Sequence, residues 1–292
     1  MTVWGDWLAA QADQRDRDGL RRRLVPRPVD DPVIDLAGND YLGLARHPEV
    51  VAAAAAAAVA WGAGAGASRL VTGTLQVHAD LEAALAAYLG QPAGLVFSTG
   101  YHANLSVVTA LADRGSLVVS DAHIHASLVD AVRLSRADLA VVPHSDVGAV
   151  RAALAGADGR RALVLAESVY SVLGDEAPLV ELAAVCEEYD ALLVVDEAHG
   201  LGVHGPGVVH RLGLAGLPHV VVTATLSKSL GSQGGAVLGS PALVDHLVNR
   251  ARPFIFDTGL APASAAGALA ALGVLRDSPD LPHVVRHRVT DL

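Results

Sequence analysis

Lysine is all but absent from this sequence. Lys and Arg together number 21 among 292 residues, and a single one of them, Lys228, is lysine. Arginine serves wherever a cation suffices. Its delocalised guanidinium stays protonated and forms no imine, whereas a lysine amine can lose its proton and attack a carbonyl. The surviving lysine is therefore either a chance remnant on a solvated loop or the one place where amine chemistry is needed. Cysteine is equally scarce: Cys186 stands alone, which excludes an intramolecular disulfide framework and fits a reducing, cytoplasmic setting. Aromatic residues make up 4% and charged residues 18%, against 52% hydrophobic, so a substantial core is available and disorder is not expected. No apolar run reaches the ~18 residues of a membrane span, because Gly, Trp and Arg break the alanine-rich stretches. The first residues, rich in Asp and Arg, contain no secretory h-region. A net charge of −10 argues against a nucleic-acid surface. With no H-E-x-x-H and one cysteine in a helical stretch, no metal site is expected.

What is present reads as alternating helices and strands. Residues 1 to about 30 suggest a charged helix ending at Arg21 to Arg23, before Pro26 and Pro28. The alanine run Ala52 to Ala58 predicts a helix ended by Gly62, Gly64 and Gly66, and another is expected from near His78 to Leu89. Short apolar runs follow at Leu95–Phe97, Leu117–Val119, Leu139–Val142, Ala162–Ala166, Ala191–Val195, Val220–Thr223 and Ala236–Leu238. Unbroken apolar runs separated by helix-length stretches are the mark of strands buried on both faces. They predict an α/β domain with a mostly parallel seven-stranded sheet between helix layers.

Open sheets of this kind bind ligands past the carboxyl ends of their strands. Those positions carry Glu167-Ser168, Asp196-Glu197-Ala198-His199-Gly200, Thr225-Leu226-Ser227-Lys228 and Ser98-Thr99-Gly100-Tyr101, the last ahead of a helix near Asn104; Asp121 and His125 follow another strand. An acid, two histidines, a lysine, hydroxyls and an anion-ready helix start thus converge on one crevice, which are the parts a pyridoxal phosphate (PLP) site requires. Asp196-Glu197-Ala198-His199 also spells the DEAH form of a helicase motif. That motif needs an upstream G-x-x-x-x-G-K-[ST] loop, and the one lysine lies downstream. Gly62, Gly64 and Gly66 follow a helix rather than a strand, so they make no dinucleotide fingerprint. His123, His144, His204 and His210 have no assigned role and read as ordinary surface or polar-core histidines.

The segments Asn39 to Leu44, Ser68 to Gly73, Ser98 to Asn104, His125 to Asp130, Asp196 to Gly200, Thr225 to Lys228 and Phe254 to Thr258 occur in one order. Together they resemble the α-oxoamine synthase family of fold-type I PLP enzymes. The likeness runs over essentially the whole chain. The wording at Ser68 to Gly73 and His125 to Asp130 is most similar to the branch that joins L-alanine to a pimeloyl thioester, on coenzyme A or an acyl carrier protein. The alternatives are another acyl-CoA:amino-acid synthase of the family, such as glycine C-acetyltransferase, or a non-catalytic PLP-binding regulatory protein.

The resemblance implies a role for each matching position. Lys228 carries the cofactor as a Schiff base and shuttles the substrate α-proton. Asp196 faces the pyridine nitrogen, His125 stacks on the ring, and His199 and Ser168 bond its phenolic oxygen. Gly100 and Tyr101 offer backbone N–H groups to the phosphate and Thr225 a hydroxyl, while Thr258 reaches the phosphate of the other protomer of a homodimer. Arg21 meets the acyl substrate, and Asn39 and His125 line the amino-acid pocket. The organisation expected is an N-terminal helix and substrate-lining segment, 1–45, a large PLP-binding domain, 46–250, and a segment, 251–292, that ends the large domain and connects to a C-terminal domain that this chain mostly lacks, with poor turnover if the protein ends there.

Overall fold

The computed structural model describes residues 2–290. The chain divides into two units, with the boundary after Gly38. In the first, helix α1 (Val3–Arg17) opens on a Thr2 cap whose hydroxyl accepts the Gly5 N–H. It buries none of its residues. The helix stops short of the expected arginine run because Gly19 adopts φ +67° and the Leu20 N–H turns back to the Arg15 carbonyl, a left-handed C-terminal stop. Beyond it the chain forms no regular element, with Arg27 bridging Asp31 and Asp35 at 2.6 and 2.7 Å.

The second unit begins at Asn39. Its elements are α2 (Pro48–Trp61), α3 (Gln76–Leu89), β1 (Ala93–Phe97), α4 (Gly100–Leu111), β2 (Leu117–Asp121), α5 (Ala126–Ser135), β3 (Asp138–Val142), α6 (Val147–Ala155), β4 (Ala162–Glu167), α7 (Leu179–Glu188), β5 (Leu192–Asp196), the short α8 (Val208–Arg211), β6 (Val220–Thr225), β7 (Gly235–Gly239), α9 (Pro241–Arg250), the short α10 (Arg252–Ile255), α11 (Pro262–Asp277) and α12 (Leu281–Thr290). All seven apolar runs are strands of one sheet, in the order β1-β7-β6-β5-β4-β2-β3. β3, β2, β4, β5 and β6 run parallel, and β7 is antiparallel to both β6 and β1. Leu163, Val164, Leu193, Val194, Val221 and Val222 are all buried, and they divide between two core clusters, one on each face of the sheet.

Helix α11 lies on α2 and α3, so segment 251–290 builds part of the same unit as the sheet. The alanine faces make that approach close: Gly267 would bring a Cβ within 3.7 Å of Val50 and 3.8 Å of Ala54. A buried pair fixes the edge of the sheet to α3. Arg69 reaches Glu82 at 2.9 Å, and Glu82 also accepts the Val96 N–H at 2.9 Å. Among the described residues no helix is long and apolar enough to cross a membrane.

Leu193 is fully buried in the central strand. Leu193→Ala should lower the unfolding free energy by about 3 kcal/mol through lost burial and an unfilled cavity. Denaturant unfolding would show this as a lower midpoint with an unchanged slope.

Candidate active site

Three parallel strands end in register at one edge of the sheet. Glu167 of β4 lies opposite Asp196 of β5, which lies opposite Thr223 of β6. Side chains alternate between faces along a strand, so the residue after each acid leaves the cavity. Glu167, Asp196 and Thr223 line a cavity of about 260 Å³ with Thr99, Gly100, Tyr101, Asn104, His125, Ser127, Ala198, His199, Thr225, Ser227 and Lys228. Ser168 and Glu197 instead meet each other away from it, Ser168 Oγ donating to Glu197 Oε2 at 2.7 Å. Ser168 is therefore corrected: a buried support for Glu197 and not a cavity-lining hydroxyl. Glu197, the second acid of the DEAH string, is spent on that bond and on the Val209 N–H at 2.7 Å.

Lys228 Nζ lies 2.7 Å from His199 Nε2, and His199 Nδ1 lies 2.8 Å from Tyr41 Oη. Tyr41 donates its one hydrogen to Asn39 Oδ1 at 3.0 Å, so it must accept from Nδ1, leaving Nε2 as the acceptor for Lys228. Burial and the nearby Lys228 cation pull the His199 imidazole down to about 4, and burial also lowers the Lys228 amine from its usual value. The Lys228 turn is closed by the Gly231 N–H on the Lys228 carbonyl at 2.8 Å. Gly231, at φ +58°, passes so close to Ala45 that a Cβ would sit 2.1 Å from its backbone nitrogen.

A second chain of bonds ties His125 to Asp196. His125 caps α5, its Nδ1 accepting from the Ser127 N–H at 3.2 Å and lying 2.7 Å from Ser127 Oγ. Asn104 donates from Nδ2 to Ser127 Oγ and to Asp196 Oδ2, both at 2.8 Å. The Ala198 N–H meets the other Asp196 oxygen at 2.9 Å. Asn104, Ser127, Glu167, Thr223, Ser227 and Tyr41 were not singled out in the sequence as site residues. Glu167 and Ser227 were marked only as strand-end neighbours, Asn104 as the end of the Ser98 to Asn104 segment, and Ser127 and Tyr41 by the His125 to Asp130 and Asn39 to Leu44 segments, while the partners that give Asn104 and Tyr41 their roles lie far along the chain.

At the end beside α4 the backbone forms a cradle. Thr99 caps the helix through the His102 N–H at 3.0 Å. A Cβ on Gly100 would meet Thr225 at 3.0 Å, and one on Gly235 would meet Gly100 at 2.5 Å. Free N–H groups at a helix start attract anions, and Thr225 Oγ1 and Ser227 Oγ, 2.7 Å apart, stand beside them. The Tyr101 ring points out to Asp130, which leaves its backbone N–H as the relevant donor. Thr258 lies outside this cavity, in a bridge with Ser68. Arg21 belongs to the first unit, where it pairs with Asp16 at 3.1 Å. His144, read as an unassigned histidine, is held between Asp121 and Asp175 at 2.9 Å each.

The family model for aminotransferases of class I and II matches residues 31–282. The chain belongs to the aminotransferase class I and II family. It is 58% identical over 288 residues to the 8-amino-7-oxononanoate synthase of Mycobacterium marinum, covering 98% of this chain and 74% of that one. It is 59% identical over 275 residues to that of Mycolicibacterium paratuberculosis, covering 94% and 72%. Among solved structures, serine palmitoyltransferase from S. paucimobilis with bound PLP–myriocin superposes with a TM-score of 0.86 at 32% identity, covering 96% of this chain and 74% of that one. The 8-amino-7-oxononanoate synthase from Francisella tularensis superposes at 0.73 with 27% identity, covering 86% and 71%. This aminotransferase-family chain thus spans about three quarters of the length of these relatives.

The cavity fits pyridoxal phosphate on its own terms. It holds an amine, a carboxylate fixed by two N–H donors, and a glycine-lined helix start for an anion. It also contains Asn104 Oδ1, Thr223 Oγ1 and Glu167 Oε1, buried polar atoms without a partner.

The His199 shift carries a sign. Its folded value of about 4 lies below the usual 6.5, so the unfolded chain takes up the proton first as pH falls. The stability held by neutral His199 is present above 6.5 and is lost as pH drops through 4. Relative to His199→Gln, the wild type should lose stability across that window, read by denaturant unfolding at stepped pH.

Proposed function

We propose that this chain catalyses the decarboxylative condensation of L-alanine with a pimeloyl thioester, giving 8-amino-7-oxononanoate, CO₂ and free thiol, a step of biotin biosynthesis. The pairing of a lone, partly desolvated lysine with the Asp196 carboxylate in one cavity carries this reading, together with the identity to the mycobacterial synthases. Pyridoxal phosphate, when bound, supplies an electron sink that lets the alanine Cα hold a negative charge.

The remaining work belongs to side chains. Lys228 Nζ would hold the cofactor and would then take the proton from the alanine Cα. Asp196 would hold the ring nitrogen, and Asn104 and the Ala198 N–H keep its two oxygens in place. His125, locked by Ser127, would hold the ring from one face and keep water from the reacting carbon. His199, neutral and anchored by Tyr41, orients Lys228 and would bond the ring oxygen. Gly100, Tyr101 and Thr225 hold the phosphate. The alanine Cα forms a bond to the thioester carbonyl, the C–S bond breaks and the leaving thiolate takes a proton from solvent. The carboxylate leaves as CO₂, and the proton on Lys228 returns to the same carbon.

Asn39 lines the amino-acid side of the site, and Arg21 binds the acyl substrate. Thr258 of one protomer reaches the phosphate held by the other in a homodimer. The acyl group arrives on coenzyme A or an acyl carrier protein, and the enzyme works in the cytoplasm.

Purified protein given L-alanine and pimeloyl-CoA should release thiol and CO₂ in equal amounts, while glycine with acetyl-CoA should not turn over. Lys228→Ala should abolish the visible absorbance of the bound cofactor and lower kcat by more than about 10³-fold; Asp196→Asn should cost roughly 10²-fold or more. Thiol release with the glycine pair alone would place the chain elsewhere in its family.

A further inference from the structure

The sheet brings a second carboxyl into the cavity that the steps above do not use. Glu167 is 2% exposed and emerges beside Asp196 from the neighbouring strand. Its Oε2 accepts the Ser171 N–H at 3.2 Å, and the His125 backbone N–H also reaches the group. Its Oε1 is buried and meets no donor. Facing it are Asp196 at the end of β5, Lys228 in the turn after β6, His199 after β5, His125 at the start of α5 and Tyr170 in the loop after β4.

Two carboxyls and one amine therefore share a cavity. If all three ionise, one buried negative charge has no counterpart, and a group so placed takes up a proton instead. Geometry selects which one. Both Asp196 oxygens are met by N–H donors at 2.8 and 2.9 Å, whereas Glu167 has a bare oxygen on which a proton can sit.

We propose that Glu167 is a positioning residue whose own proton governs the Lys228 amine: protonated and uncharged, it leaves the amine free to lose its proton, and ionised, it holds the amine as an ammonium. Burial and the neighbouring Asp196 charge push the Glu167 carboxyl up to about 7. Burial lowers Lys228, and the Asp196 and Glu167 charges each work against that. An ionised Glu167 would hold Lys228 as an ammonium, which cannot attack a carbonyl.

The inference rests on the role given to Lys228, but its test needs neither cofactor nor turnover. Lys228 is the one lysine of the chain, so cofactor-free protein labelled with 13C-lysine gives a single side-chain signal that requires no assignment. In the wild type that signal should move in two steps, a small one near pH 7 as Glu167 ionises and a main one as Lys228 loses its proton. In Glu167→Gln the first step should vanish and the main step should fall by about 1 pH unit. Identical titrations in the two proteins, or a higher main step in the variant, would overturn the proposal. So would a Glu167→Gln chain that does not fold, because the amide is the neutral isostere of the protonated acid. A wild-type signal with no step near pH 7 decides against it without any variant. Two steps in a protein that never releases thiol would leave this inference standing and sink the proposed reaction.

Discussion

An amine loses its proton more readily when it is taken partly out of water, and the fold around Lys228 does this while setting the Asp196 carboxylate in the same cavity. The turn that carries it leaves β6 at the edge where β4 and β5 also end. Asp196 supplies the compensating charge, His199 accepts from the amine at 2.7 Å, and Tyr41 and Asn39 hold His199 in the tautomer that permits this. Each of these groups is itself tied down. A lysine on a solvated loop would carry its proton at neutral pH and attack a carbonyl far less readily.

The sheet does more than collect residues. Its two-residue period sorts adjacent polar side chains onto opposite sides, Glu167 and Asp196 into the cavity, Ser168 and Glu197 into the layer behind it. The hidden pair braces the visible one: Glu197 takes bonds from Ser168 and the Val209 backbone, which holds the loop after β5 against the sheet. The glycines at 100, 231 and 235 act in the same way from the backbone side. They let strands, helix start and lysine turn approach more closely than any side chain would allow. The cavity's size is thus a property of backbone contacts.

Much of this was legible from residue order. The strands stood out because burial on both faces leaves no room for polar residues. The acid, the histidines and the lysine stood out because they follow those strands directly. Ser168 was misplaced because one residue's difference in register changes the face of the sheet, and a motif read along the chain does not record faces. Asn104, whose partner Asp196 is 92 residues away, and Tyr41, whose partner His199 is 158 away, carry no local sign of their roles. The same holds for Glu167, which reads in sequence as the last residue of a strand. The N-terminal helix ended early for a local reason, the left-handed Gly19, that a charge pattern does not display.

By itself the order of residues determined the strand and helix succession, the absence of disulfides, and the singularity of the amine at position 228. These follow from local preference and from which side chains are present at all. Which polar groups meet, which face each acid takes, the tautomer of His199 and the bare oxygen of Glu167 were decided by the tertiary structure alone. Hydrogen bonds and buried charges depend on distance in space, and only the folded sheet brings those strand ends within reach of one another.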